Sequence, residues 1–241
     1  MAEIKRFYTL AAVAETADGY CIALDGRPIR TPAARQLVVP HLALAEEIAE
    51  EWLAQGEKVI PATMPMTQLA STALDRVGPL RAAMVDELIH YAASDLLCHR
   101  APSPQDLVAR EEAVWQPIID WASVELGAEM VVGVGILPIN QPQASFEVLR
   151  RAIENYDDLH LTALQSAVVA MGSLLLGLAL LRGRLSVEES FAASQLNETY
   201  QIELWGEDYE ATLRRETLRN EIAWAARFVE LCLPRNPPMR S

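Results

Sequence analysis

Cysteine is scarce. Cys21, Cys98 and Cys232 lie far apart and are odd in number, so the 241-residue chain has neither a disulfide framework nor the paired spacing of a zinc knuckle. A reducing compartment fits that usage. Aromatic residues make up only 6% of the chain, while 51% is hydrophobic and rich in Ala and Leu, which favours a largely helical globule over a β-sandwich. Positive charge is also short: 20 Lys and Arg face 33 Asp and Glu, a net charge of -13. Phosphate binding draws on clustered basic residues, so a nucleic-acid partner is excluded. The N-terminus has no long apolar core between its basic residues and Glu15, and a cytoplasmic protein is expected. No Gly-x-x-x-x-Gly-Lys-Ser/Thr run is present, and Gly133-Val134-Gly135 lacks the third glycine of a dinucleotide fingerprint. No internal repeat of fixed period is apparent.

What is present is one uncharged stretch, LTALQSAVVAMGSLLLGLALL, from Leu161 to Leu181. As a single helix it would reach roughly 30 Å, long enough for a bilayer core as well as for the centre of a globule. Its arrangement favours the globule. Ala163, Ser166, Ala167, Ala170, Ser173 and Gly177 form a small-residue stripe that lets neighbouring helices approach closely. The surrounding helices are amphipathic and acidic, and need an apolar body to cover.

Residues 1–40 alternate β-like runs with two Asp-Gly turns, Asp18-Gly19 and Asp25-Gly26, and so read as hairpins. From His41 the period becomes helical, with Ala45, Ile48, Ala49, Trp52 and Leu53 on one face. EKVIPATMP reads as extended because Pro61 and Pro65 restrict the residues before them. Helices then dominate: a stripe from Met66 to Val77 stops at Gly78-Pro79, and a helix starting near Ser103-Pro104 is kinked or interrupted at Pro117. Ser145 caps a further helix, and Ser186 with Glu189 forms a capping box. The fold class is therefore α+β. Residues 1–62 are expected to form a β-hairpin-rich domain with one helix, 63–233 a helical domain around one buried apolar helix, and 234–241 a mobile tail.

Spacing alone finds no active site. Glu87 and His90 form an i, i+3 pair of the kind that ligates metal inside bundles, but the second copy is missing, since Asp157-Asp158-Leu159-His160 is only a loose substitute. Asp86, His90 and Ser94 share a helix face without a shaped oxyanion site. A carboxylate/histidine metal enzyme is thus the alternative function, with no metal expected. Each of the five tryptophans defaults to core.

Three segments carry a resemblance. The first is EEWLAQGEKVIPATMPMTQLASTALDRV, with Glu51-Trp52, Gln55, Ile60-Pro61 and Met64-Pro65-Met66-Thr67. The second is DLLCHRAPSPQDLVAREEAVWQPIIDWASVELGAEM, and the third LNETYQIELWGEDYEATLRRE, in which Trp205-Gly206 precedes acidic residues. In this order they resemble the F1-ATPase assembly chaperones that bind the alpha subunit of ATP synthase. The likeness runs from Arg6 to Cys232. It departs at Trp115-Gln116-Pro117, where the family commonly carries an acidic residue before the proline.

The resemblance implies a small β-containing N-terminal domain and a helical C-terminal domain. It implies a non-enzymatic, ATP-independent chaperone without cofactor or membrane insertion, monomeric when free, that holds the alpha subunit until beta displaces it. Trp205, Gly206, Glu207, Asp208 and Glu210 are the expected partner-binding residues. The competing reading is that these acids favour the positive end of the last helix's dipole. Trp52, Pro61, Met64 and Pro65 are assigned to a domain junction, with partner contact as the alternative.

Overall fold

A computed structural model describes residues 4–206 and 208–233. Glu207 and the expected tail 234–241 lie outside them. The described residues form two compact units, 4–81 with 158–163 and 227–233, and 82–157 with 164–226. The boundary drawn from sequence at residue 62 falls inside the first unit. The class is α+β, as expected.

In the first unit, β1 (Ile4–Lys5) opens the chain and β2 (Ala11–Thr16) and β3 (Gly19–Leu24) form an antiparallel hairpin, Ala11 opposite Leu24 and Thr16 opposite Gly19. Asp25 and Gly26, both at positive φ, make the two-residue turn into β4 (Arg27–Pro28). That sign pair is what an Asp-Gly hairpin turn requires. The second edge of β3 is shared: β4 covers Ala23 and Leu24, and β5 (Val38–Val39) covers Tyr20 and Cys21. Helix α1 (Leu42–Leu53) packs on β2 and β3, and Ile22, Leu37, Val39, Leu44 and Ile48 are wholly buried. β6 (Lys58–Val59) pairs with β1.

One expectation changes here. Pro61–Thr63 is a short 3-10 turn rather than extended chain, because Thr63 N–H reaches back to the Ile60 carbonyl. The expected break near Gly78-Pro79 is present. Helix α2 (Pro65–Thr72) runs through a wide turn over Ala73–Val77 to the start of α3 (Gly78–Ala93), and Leu80 (φ -117, ψ 20) leaves helical geometry there, so two helical stretches meet across a kink. Pro79 lacks the N–H that an unbroken helix would use, which suits a kink at this point.

The second unit is helical apart from a two-residue parallel pair, β7 (His99–Arg100) with β8 (Gly133–Val134). Helix α4 (Gln105–Trp121) runs through Pro117 without interruption and widens over Ala122–Leu126 before Gly127 ends it. Helix α5 (Gln143–Glu154) starts two residues before Ser145, so Ser145 does not cap it; its buried hydroxyl instead donates to the Glu129 carbonyl.

The uncharged stretch is not one helix. It divides between α6 (Asp158–Met171) and α7 (Leu174–Leu181). Gly172 takes the left-handed conformation (φ 67) that closes α6, and Ser173 caps α7, its hydroxyl accepting from Leu176 N–H. Every residue of α7 from Leu174 to Leu180 is buried, and α4 and α8 (Val187–Ser194) pack against it. The Ser186–Glu189 capping box starts α8 as expected. Helices α9 (Leu196–Trp205) and α10 (Tyr209–Leu231) complete the chain. Among the described residues no helix is long and apolar enough to cross a membrane.

Candidate functional site

Of the expected contact residues, Trp205, Gly206, Asp208 and Glu210 fall on the elbow between α9 and α10, and Glu207 lies outside the described residues. Gly206 closes α9 at φ 84 and ψ 167, a backbone that an L side chain rarely adopts, and its N–H bonds the Ile202 carbonyl. Asp208 then starts α10, its Oδ1 accepting from Ala211 N–H at 2.8 Å. That places Asp208 at the positive end of the last helix, as the competing reading has it, and adds a capping hydrogen bond. That reading accounts for Glu210 as well, an exposed acid in the first turn of α10, but not for the aromatic residues. Trp205 and Tyr209 are each 77% exposed, and Leu204 and Leu213 are exposed beside them. Trp205 thus breaks the buried-core default that Trp115, wholly enclosed and donating to the Ala193 carbonyl, obeys.

This apolar elbow is braced from below. The Tyr200 hydroxyl donates to Asp106 on α4 at 2.8 Å, and Arg110 stacks over the Tyr200 ring while pairing with Glu203 at 2.7 Å. Arg215 donates to the Thr199 hydroxyl, tying α10 to α9. The sequence pointed to Trp205, Gly206 and the acids. Leu204, Tyr209 and Leu213 were legible only as a broken pattern, large hydrophobics on both sides of a helix-ending glycine.

Trp52, Pro61, Met64 and Pro65 all lie in the first unit. Met64 is buried, Pro61 and Pro65 begin helical turns, and the Trp52 carbonyl accepts from the Tyr8 hydroxyl at 2.6 Å. Two residues overlooked as working groups hold this block together. Met64 offers α2 no side-chain cap, and the Glu51 carboxylate supplies it, accepting from Met66 N–H, Thr67 N–H and the Thr67 hydroxyl. Burial pushes the Glu51 carboxyl up, and those hydrogen bonds oppose the shift. Gln55 bonds Ile60 N–H, the Glu51 carbonyl and the Thr63 hydroxyl.

The crystal structure of Atp12 from Paracoccus denitrificans matches this fold with a TM-score of 0.91 at 36% identity, over 95% of this chain and 99% of that one. The chain belongs to the ATP12 chaperone family. The family model for ATP12 chaperone protein matches residues 5–123, which include the Glu51 to Thr67 block and end before the elbow. Protein atp12, mitochondrial, of Schizosaccharomyces pombe is 25% identical over 236 residues, or 92% of this chain and 81% of its own. The Atu1473 protein of Agrobacterium tumefaciens has a TM-score of 0.90 at 37% identity, over 95% of this chain and 86% of its own.

The metal-enzyme alternative finds no support. Glu87 and His90 are both exposed, and among the described residues no group of three His, Cys, Asp or Glu could hold a metal ion. Asp86 pairs with Arg150 at 2.6 Å, so no Asp86–His90–Ser94 relay forms. All three cysteines are buried and free, and burial pushes the Cys98 thiol up to about 12, far from a reactive thiolate.

Proposed function

We propose that this ATP12 chaperone binds the free alpha subunit of the ATP synthase F1 sector and covers its assembly interface until beta joins. Family membership supports a role in F1 assembly. The observation that supports a holding surface is the elbow: Leu204, Trp205, Tyr209 and Leu213 are exposed on either side of Gly206, and Asp208 and Glu210 are exposed beside them in sequence. Apolar groups left in water at a braced position mark a contact surface. The acids keep that surface polar enough to exchange its partner, as a transient complex must. Glu207 extends the acidic run in sequence. The reaction is occupancy, with no bond made or broken, and beta displaces the holder by mass action.

The test is co-expression with tagged alpha or tagged beta, followed by pull-down. Alpha should retain the chain and beta should not. Trp205→Ala should weaken retention by alpha about thirtyfold, the loss typical of an aromatic anchor, and Glu210→Lys should weaken it with the melting temperature unchanged. Retention by neither subunit, or parallel loss of binding and melting temperature, would overturn the assignment.

A further inference from the structure

The first unit carries a furrow that the elbow does not use. One hollow, about 750 Å³, is floored by Trp52, Val59, Pro61 and Met64 and walled by Gln68 and Ser71. A second, about 610 Å³, continues from it across the shared residues Trp52 and Arg30, past Tyr8 and Leu24 to Phe7, which stands 72% exposed. All these residues belong to one compact unit.

Charge separates this furrow from the rest of the chain. Residues 1–81 hold 8 Lys and Arg against 10 Asp and Glu, a net -2, whereas 82–241 hold 12 against 23, a net -11. Within the furrow the carboxylates are occupied. Asp75 accepts from the Thr31 hydroxyl at 2.7 Å and Ala33 N–H at 2.8 Å, and Asp25 accepts from Thr9 and Leu10 N–H. Among the described residues the guanidiniums hold no carboxylate. Arg30 donates only to the Ala34 carbonyl, and Arg27 and Arg76 make no ion pair among the described residues. An apolar floor with unclaimed guanidinium forks along its rim suits a chain that brings its own carboxylates.

We propose that this furrow binds an extended peptide segment of a protein partner in which Asp or Glu alternates with apolar side chains. Apolar residues lie on the Trp52–Met64 floor, and carboxylates meet Arg27, Arg30 and Arg76. Two joined hollows fit a strand-like chain, whose side chains point alternately to opposite sides. The rim offers separate guanidiniums among apolar side chains rather than a continuous basic track for a phosphate backbone, so a peptide is the favoured occupant. The site is independent of the elbow and opposite to it in charge, so the chaperone has two grips of different chemistry.

The experiment is fluorescence anisotropy on the full chain with two labelled ten-residue probes, one alternating Leu with Glu, the other Leu with Lys. The Glu peptide should bind at least tenfold more tightly. The double variant Arg30→Glu with Arg76→Glu should reverse that preference, a gain that a misfolded protein could not show. Ser71→Trp, which fills the larger hollow, should abolish binding of both peptides with the melting temperature retained, while Trp205→Ala should leave peptide binding unchanged. Equal binding of both probes, or the same preference after the double reversal, would overturn the site. So would displacement of the peptide by a single-stranded oligonucleotide, or a dimer in sedimentation that dissociates as the peptide binds.

Discussion

Asp95 is a fully buried carboxylate with no basic partner among its hydrogen bonds. It accepts from Leu97 N–H, Leu175 N–H and the Ser173 hydroxyl, and Ser173 in turn accepts from Leu176 N–H. One side chain therefore satisfies the open end of α7 and the turn before β7 together. Asp95→Ala leaves several buried donors without acceptors and should cost about 3 kcal/mol. Asp95→Asn, which keeps one acceptor oxygen, should cost less. Urea unfolding of the two variants separates these outcomes, and equal losses would mean that packing, not hydrogen bonding, makes the site costly. Asp25 acts through pH instead. Hydrogen bonds from Leu10 N–H and then Thr9 N–H hold its carboxyl below the usual carboxylate range. Because the folded value is the lower one, its contribution is present above the unfolded pKa and disappears as pH falls through the folded value. Asp25→Asn keeps a residue suited to the positive φ of this turn and should flatten the acid limb of the stability curve. Carboxyl NMR titration checks the direction, and a value above the unfolded reference would reverse it.

The α6–α7 hairpin rests on a close approach. A Cβ on Gly177 would sit 2.6 Å from Val168 Cγ2 and 3.1 Å from Leu164 Cδ1. Gly177→Ala improves helix propensity by up to about 1 kcal/mol, but overpacking costs roughly 1–3 kcal/mol, and the clash should win. In a Val168→Ala background the same substitution should cost less, with coupling on the order of 1 kcal/mol by double-mutant cycle; strict additivity would show that the contact is not limiting. This hairpin also marks where sequence reading failed. Hydropathy is the same for one helix or two, because α6 and α7 are both largely buried, so the apolar run concealed the break at Gly172-Ser173. The signal was local, a helix-ending glycine followed by a capping serine. Where local chemistry dictated the structure, as at Asp25-Gly26 and at Ser186 with Glu189, the elements were legible. Ser145 misled because Pro142 already fixes where α5 begins, and the role of Glu51, legible only as part of a motif, was hidden because it caps α2 from another helix, a relation that no local pattern records. At the elbow, Trp205-Gly206 was legible as a motif, whereas the exposure of Tyr209 and Leu213 depends on how α9 and α10 meet.

The unequal distribution of charge predicts how a client is captured. Exposed acids act mainly on encounter, since their fields reach a Debye length, about 10 Å at 0.1 M salt and 3 Å at 1 M. If Asp208 and Glu210 steer a basic surface of alpha, raising salt from 0.05 to 0.5 M should slow association about tenfold and change dissociation little. The residence time would then rest on Trp205 and Tyr209, whose apolar contacts salt does not screen. Glu210→Lys should flatten the salt dependence of the on-rate, and Trp205→Ala should raise the off-rate at every salt concentration. Stopped-flow association and surface-bound dissociation measure the two separately. If salt acted mainly on the off-rate, the carboxylates would be buried in the complex as specific ion pairs, and the division of labour between acid and aromatic would fail.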